Sequence, residues 1–291
     1  MKQLVPPPLP SKPYTLATLP MIWEYMKPAF TLLLYPQTDS EDNDDTAVLG
    51  IDHGYYAGIA TITYNFATTM KANIRELYDQ LDTFFGEAAR SVLLNAPSSQ
   101  AEDPHLRFLP DLSSRFHHYS RGATTVGHLL NFINRHWIQR EVNEGRGWFV
   151  VMKIRVSQDT RKAAMRADLK RWGYEEGASS EEMGEAIASA EAGSRPGCIV
   201  PIKSLAHRQF RIQVVEPLLS TSEASVDGVV DTAEGSPLGR ALEAWSKKLE
   251  GSAPKEERER AQQLITSIGH MLKMVGFPPD HPLRVRIKSL V

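Results

Sequence analysis

Apolar residues in the middle of the chain recur at the spacing of one helix face. Between residues 126 and 137 they follow one another at intervals of three and four, as on one side of an α-helix. The members of this stripe are Val126, Leu129, Leu130, Ile133 and Trp137. The pattern predicts one long amphipathic helix over residues 126–149. It is expected to end at Glu144-Gly145-Arg146-Gly147, where glycine and charge weaken the helix.

Similar stripes predict three helices before this one. Residues 20–34 carry Ile22, Met26, Phe30 and Leu33 on one face, which predicts the first of them. The segment that begins at Asn73 predicts another, and its stripe is Leu77, Leu81, Phe84, Phe85, Ala88 and Val92. Residues 106–119 predict a helix that Pro110 breaks.

Residues 53–70 are ambiguous on propensity alone. They are rich in β-branched and aromatic residues, which favour strands. The spacing of the apolar residues by three and four still favours a helix. We therefore predict a helix here, with a strand as the alternative.

The second half of the chain also carries helix signals. Ser179 precedes Glu182 by three residues, which is the pattern of a capping box ahead of a helix. Helices are further predicted over residues 160–172, 183–192, 238–249 and 253–275, and Gly276 with Pro278 is expected to stop the last. Together these patterns predict an all-α protein.

Two strings resemble the N-terminal region of cullins. Phe132-Ile133-Asn134-Arg135-His136-Trp137-Ile138-Gln139-Arg140-Glu141, followed by the Glu144-Gly145-Arg146-Gly147 turn, resembles the signature that closes the first cullin repeat. Tyr64-Asn65-Phe66-Ala67-Thr68 resembles the second helix of that repeat. Five predicted helices up to residue 149 match a cullin repeat in number and order.

The resemblance implies an elongated helical cullin-repeat bundle with a divergent α-helical second half, because helical repeats bury their faces by stacking. Residues 1–19 would be a disordered proline-rich tail, and residues 20–149 the first repeat. Residues 150–202 would be a partly helical insertion that is peripheral to the core. Residues 203–291 would form a partial or divergent second repeat.

Cullins are scaffolds of ubiquitin ligases, and their first repeat binds a BTB/POZ-fold adaptor that holds a substrate receptor. The resemblance places four residues of the second helix on the adaptor face, namely Tyr56, Ala60, Thr63 and Tyr64. It places three residues of the fifth helix there, namely Thr125, His128 and Phe132. Tyr64 and Phe132 are equally compatible with core positions, since aromatic residues at helical spacing are often buried.

The resemblance stops short of the cullin C-terminal domain. No segment of the sequence resembles that domain or the lysine that accepts the ubiquitin-like modifier. We therefore expect a chain that binds an adaptor in ubiquitin-dependent protein catabolism but does not recruit the RING subunit. A scaffold fragment, a competitor and a defective paralogue all fit this expectation.

The sequence offers few candidate residues for catalysis or metal binding. The sequence lacks the short motifs of nucleophile elbows, phosphate-binding loops and zinc proteases. The nine histidines show no set of four ligands for a closed zinc site. The acidic segment that begins at Asp39 lacks the Gly and Glu of a calcium-binding EF-hand loop. We predict a non-catalytic protein with no cofactor and no metal, and dispersed catalytic residues remain the open alternative.

Composition narrows the partners and the compartment. The 33 basic and 35 acidic residues give a net charge of -2, so no basic excess indicates nucleic acid. No apolar run approaches the length of a membrane span, and the N-terminus lacks the apolar core of a secretory signal. A single cysteine, Cys198, suits a reducing compartment. We expect no nucleic acid, no membrane, and a cytoplasmic or nuclear location.

The proline-rich start offers a second function. Pro7-Pro8-Leu9-Pro10-Ser11-Lys12 fits the short pattern of ligands for SH3 and WW domains. Such segments favour the extended polyproline II conformation. The alternative to a cullin-like scaffold is therefore a generic helical adaptor protein that binds SH3 or WW partners through this tail.

Overall fold

The structure is a computed structural model, and it describes Pro7 and residues 18–35, 51–69, 73–94, 104–149, 158–220, 235–250 and 254–291. Within these ranges the protein is all-α and contains no strand. This confirms the predicted fold class. Of the tail predicted over residues 1–19 the structure describes Pro7, Thr18 and Leu19, and Leu19 begins the first helix. The rest of that tail and the acidic segment after Asp39 lie outside the described residues.

The first four helices follow the predicted stripes. They are α1 (Leu19–Leu34), α2 (His53–Thr69), α3 (Ile74–Leu94) and α4 (Pro104–Leu129). The stripes predicted for α1 and α3 are buried throughout. Pro110 was expected to break the fourth helix, but α4 continues through it. The Leu106 carbonyl, which the missing N–H of residue 110 would bond, accepts a hydrogen bond from Trp245 Nε1 at 3.2 Å instead.

The fifth helix, α5, spans residues 131–146 and alternates between α and π geometry. Its pieces are Asn131–Ile133, Asn134–Ile138, Gln139–Glu141 and Val142–Arg146. Gly145 has a φ of 86°, a left-handed conformation that glycine adopts readily. The predicted stop at the charged, glycine-bearing segment is thereby confirmed.

One predicted helix is divided between α4 and α5. The stripe over residues 126–137 is buried as expected, but Leu130 leaves helical geometry, with φ −100° and ψ 21°. Val126 and Leu129 therefore end α4, and Ile133 and Trp137 belong to α5. The stripe stayed regular in sequence because a kink at one residue leaves both flanking helices facing the same core.

The remaining helices are α6 (Gln158–Leu169), α7 (Ser180–Ala192), α8 (residues 202–219), α9 (Pro237–Glu250), α10 (Lys255–Met274) and α11 (Pro282–Leu290). The 3-10 turn Lys170–Trp172 extends α6. Gly276, at a φ of 89°, follows α10 at the predicted stop. Helix α4 is central, since it packs against α1, α8, α9 and α10.

One hydrophobic core joins the two halves of the chain. Its buried residues come from every helix except α6 and α7, and they run from Ile22 to Ile287. Helix α8 packs against both α3 and α4. Tyr119 of α4 lies within hydrogen-bonding distance of the Phe85 carbonyl of α3 (3.1 Å) and the Ala206 carbonyl of α8 (3.0 Å). The separation into stacked repeats stays a prediction.

Helices α6 and α7 cover a smaller core of their own. Leu169, Tyr174, Ala186 and Ala190 form it. Helix α7 also packs against α8 and α10, and Ser189 donates a hydrogen bond to the Lys273 carbonyl of α10 at 2.8 Å. The expectation that this segment is peripheral therefore holds better for α6 than for α7.

The capping box at the start of α7 is present as predicted. The Glu182 backbone N–H donates to Ser179 Oγ at 3.2 Å, and the Ser179 N–H donates to Glu182 Oε2 at 2.8 Å. Replacing Ser179 with Ala removes one of these bonds, and we expect the free energy of unfolding to fall by about 1 kcal/mol. Thermal denaturation of S179A beside an S180A control measures this, and equal stabilities would contradict it.

Candidate functional site

An exposed aromatic pair joins α2 to α5. The rings of Tyr64 on α2 and Phe132 on α5 meet edge to face, with centroids 4.8 Å apart. Tyr64 remains 50% exposed, and Phe132 is part-buried. Tyr64 is thus a surface residue rather than a core residue. Phe132 supports it from the neighbouring helix.

His136 extends the aromatic pair along α5. It lies one helical turn beyond Phe132, its ring centroid is 4.3 Å from that of Phe132, and it is exposed. His136 was not among the residues predicted for the adaptor face, although its spacing of four residues from Phe132 places both on one side of a helix. We call Tyr64, Phe132 and His136 the aromatic cluster.

The other predicted residues of α2 lie along the same helix. Tyr56 and Ala60 precede Tyr64 by eight and four residues, so the three share one face. Tyr56 is 38% exposed and Ala60 is part-buried. Among the described residues, five large hydrophobic side chains are exposed, and Tyr56 and Tyr64 are two of them.

Thr63 does not belong to this exposed face. It is 0% exposed, and its hydroxyl donates to the Ile59 carbonyl at 2.7 Å and lies 3.5 Å from Met26 Sδ. Adjacent helical residues point about 100° apart, so Tyr64 faces outward while Thr63 faces α1. The assignment of Thr63 to the adaptor face is corrected on this ground.

Thr125 and His128 lie at the end of α4, before the kink at Leu130, and not on the helix that carries Phe132. His128 is exposed. Thr125 is part-buried, and its hydroxyl donates to the Arg121 carbonyl at 3.2 Å. The predicted set on one fifth helix is therefore contributed by two helices.

Asn134 fixes the angle between α4 and α5. Its Nδ2 donates to the Gly127 carbonyl at 3.2 Å, and its Oδ1 accepts from the Ile202 N–H at 3.1 Å. One amide thus ties α5 to the end of α4 and to the start of α8. On the buried side of α5, Trp137 packs against Tyr78, with ring centroids 5.4 Å apart. Phe132 and His136 therefore stand on a helix that these contacts hold against α3, α4 and α8.

The charged turn after α5 is held by a buried carboxylate. Glu141 is buried, and its Oε2 lies 2.5 Å from Arg146 Nε. Arg146 also pairs with Glu144, and its carbonyl accepts from the Ile199 N–H at 2.8 Å. These contacts explain the Glu144-Gly145-Arg146 string structurally, because the turn anchors the chain that returns from α7.

Several titratable groups have displaced pKa values, and the displacements follow from burial in the core. Burial raises the pKa of Tyr55 and of Tyr78 to about 12. Burial also lowers the pKa of His207 to about 3. His207 Nε2 lies 3.0 Å from Ser120 Oγ, and both residues are buried. Because both side chains are buried, a substrate cannot reach this Ser–His pair from the protein surface.

Metal-binding groups and membrane-spanning helices were searched for in the part of the chain that the structure describes. No group of three or more His, Cys, Asp and Glu side chains there is arranged to hold a metal ion. No helix within those ranges combines the length and the apolar character that crossing a membrane requires. Cys198 is a part-buried free thiol.

Comparisons with protein-family models, with curated proteins and with solved structures find no match to this chain.

Proposed function

We propose that this protein is a cullin-like, non-catalytic scaffold of ubiquitin ligase complexes that binds a BTB/POZ-fold adaptor. The adaptor would contact Tyr56, Ala60 and Tyr64 on α2, and Thr125, His128 and Phe132 on α4 and α5. His136 joins this set. The role would serve ubiquitin-dependent protein catabolism, with a substrate receptor held through the adaptor.

The observation that carries the proposal is the exposed contact between Tyr64 and Phe132. Two strings that resemble cullins supply these residues from distant parts of the sequence, and the fold brings their rings to 4.8 Å. Rigid aromatic side chains concentrate binding energy in protein interfaces, because they bury large areas at a low entropic cost. A half-exposed tyrosine that a neighbouring ring supports fits such an anchor.

The aromatic character of the pair favours a protein surface as its partner. Ala60, one turn before Tyr64 on α2, carries no charge, and the exposed Arg135 lies three residues after Phe132 on α5. Charged residues are depleted in the cores of protein interfaces, whereas aromatic residues are enriched there.

The proposal predicts that Tyr64→Ala weakens adaptor binding. Loss of the ring removes an anchor, which typically costs about 2 kcal/mol, or about 30-fold in Kd. Phe132→Ala should act in the same direction, because Tyr64 then loses its support. Calorimetric titration of the full chain with a panel of BTB/POZ-fold adaptors measures these values.

Two control variants separate this surface from general damage. Tyr64→Phe keeps the ring contact, and Val285→Ala truncates a 52% exposed side chain on α11. Both should bind the adaptor within about twofold of the parent chain. Unchanged affinity in Tyr64→Ala and Phe132→Ala, with their folds verified by circular dichroism, would refute the proposed face.

A further inference from the structure

Glu191 occupies an unusual position at the seam between α7 and α8. It lies in the last turn of α7 and is part-buried. Its Oε2 accepts a hydrogen bond of 2.7 Å from Ser204 Oγ, in the first turn of α8. Among the described residues no cation forms an ion pair with it. A carboxylate removed from water normally needs such a partner.

Among the described residues, the charged groups on the neighbouring helices pair with other carboxylates or form no ion pair with Glu191. Lys273 of α10 pairs with Glu185 at 2.5 Å, Arg208 of α8 lies 3.7 Å from Asp82, and Arg211 lies 3.7 Å from Glu216. The other titratable or charged groups around this seam are Lys203, which is exposed, His207, which is buried, His270, which is exposed, and Arg195, which is exposed. None of them neutralises Glu191.

The residues directly after α7 are packed closely against the end of α10 and against α8. Gly193, directly after α7, lies so close to Gly276 that a Cβ on Gly276 would be 2.0 Å from the Gly193 nitrogen. Arg211 donates to the Gly193 carbonyl at 3.3 Å and to the Ser194 carbonyl at 3.1 Å. Full hydration of an ionised Glu191 requires the end of α7 to move, because packed interiors do not deform smoothly.

We propose that Glu191 is a proton-controlled latch, which holds α7 against α8 when its carboxyl is protonated and loosens this seam when it is ionised. The device is independent of adaptor binding. It governs the attachment of α7, and with it the small core that α6 and α7 share.

The pKa of the Glu191 carboxyl agrees with its position between α7 and α8. Burial raises the pKa of Glu191 to about 7, and the hydrogen bond from Ser204 lowers it. In an opened state the carboxyl would return to its ordinary pKa of about 4.5. The closed seam therefore binds the proton more tightly, and opening becomes easier as the pH rises from 4.5 through 7.

Hydrogen–deuterium exchange of the full chain at pH 6 and pH 8 tests the latch. After correction for the intrinsic pH dependence of exchange, the opening constant of residues 180–192 should rise about tenfold over this interval. In Glu191→Gln the rise should vanish, because the amide does not titrate. His207, with a pKa of about 3, stays neutral throughout.

Three further variants make the result specific. Glu185→Gln removes the exposed carboxyl of the same helix, and His270→Gln removes the exposed histidine of α10; both should keep the tenfold rise. Ser204→Ala removes the hydrogen bond that lowers the pKa of Glu191, so the midpoint of the rise should move to higher pH. This shift keeps the proposal testable even where Glu191→Gln folds poorly.

A pH-independent opening constant in the parent chain would overturn the latch. So would a tenfold rise that persists in Glu191→Gln, or a midpoint that Ser204→Ala leaves unchanged. A rise that disappears in His270→Gln would assign the titration to that histidine and would equally overturn it. None of these results bears on adaptor binding, so the two proposals fail separately.

Discussion

Gly122→Ala is expected to destabilise the protein by about 3 kcal/mol, since overpacking of a tight contact typically costs 1–3 kcal/mol and occasionally more. A Cβ at this position of α4 would lie 2.1 Å from the Leu33 carbonyl oxygen and 2.8 Å from its carbon. The obstacle is backbone, so no side-chain rotation relieves it. Helices α1 and α4 would have to separate, and both line the main core.

Gly127→Ala supplies the matched control on the same helix. A Cβ there would meet Lys203 atoms at 3.8 Å, which is an ordinary van der Waals distance. Alanine has the higher helix propensity, so this variant should be unchanged or more stable by up to about 1 kcal/mol. Urea denaturation measures both variants. Equal stabilities of the two would show that α1 and α4 do not pack as closely as described.

The second large effect is the loss of stability in acid through His207. Burial lowers its pKa to about 3, whereas an unfolded chain restores the ordinary value of 6.5. The unfolded state therefore binds the additional proton between pH 6.5 and pH 3, and stability falls as the pH falls through this range. The whole interval of roughly 3.5 pH units corresponds to about 5 kcal/mol, at 1.36 kcal/mol for each pH unit.

Ionisation of Glu191 changes the free energy of unfolding in the opposite direction over part of this pH range. Its raised pKa means that the folded state holds the proton between pH 4.5 and about 7, so its own contribution falls as the pH rises. Between pH 4.5 and 6.5 the two slopes cancel. The steep acid loss from His207 should therefore be seen most clearly below pH 4.5 in the parent chain.

Urea denaturation at a series of pH values checks this account. His207→Gln, which does not titrate, should flatten the acid limb, whereas His117→Gln, which alters an exposed histidine of α4, should leave it unchanged. Glu191→Gln should uncover the His207 slope between pH 4.5 and 6.5. The account fails if the acid limb keeps its slope in His207→Gln.

The sequence predicted the helices because their apolar stripes are long and regular. The stripes of α1 and α3 and that over residues 126–137 are buried as expected. Helix α2 was harder, because its residues favour strands. It forms a helix with one side buried on Tyr55, Ile59, Ile62 and Phe66, and the Thr63 hydroxyl bonds to the backbone one turn earlier. Tertiary packing outweighed local propensity.

Features that depend on contacts between distant segments were not predictable. The kink at Leu130 leaves the stripe intact, so nothing in the pattern marks it. Burial of Thr63 depends on α1, which supplies Met26. The packing of α8 against α3 joins residues that are far apart in the sequence, as in the hydrogen bond from Gln209 to Asp82, 127 positions away, at 2.7 Å.

Several of the residues predicted for the adaptor face lie at the surface, and their role there stays a prediction. Tyr56, Tyr64 and His128 are exposed, and Phe132 contacts Tyr64. These positions came from the cullin resemblance and not from periodicity, which left Tyr64 and Phe132 open as core residues. The exposure of Tyr64 required the fold, because only the packing of α2 against α1 and α5 decides which of its sides faces outward.

A footprint of the adaptor on the chain tests the central claim most directly. Hydrogen–deuterium exchange of the full chain would be measured with and without a saturating BTB/POZ-fold adaptor. The account predicts protection confined to residues 53–69 and 125–137, with Val285 and the rest of α11 unaffected. Protection elsewhere on the chain, or no binding of any adaptor in the panel by the folded protein, would contradict it.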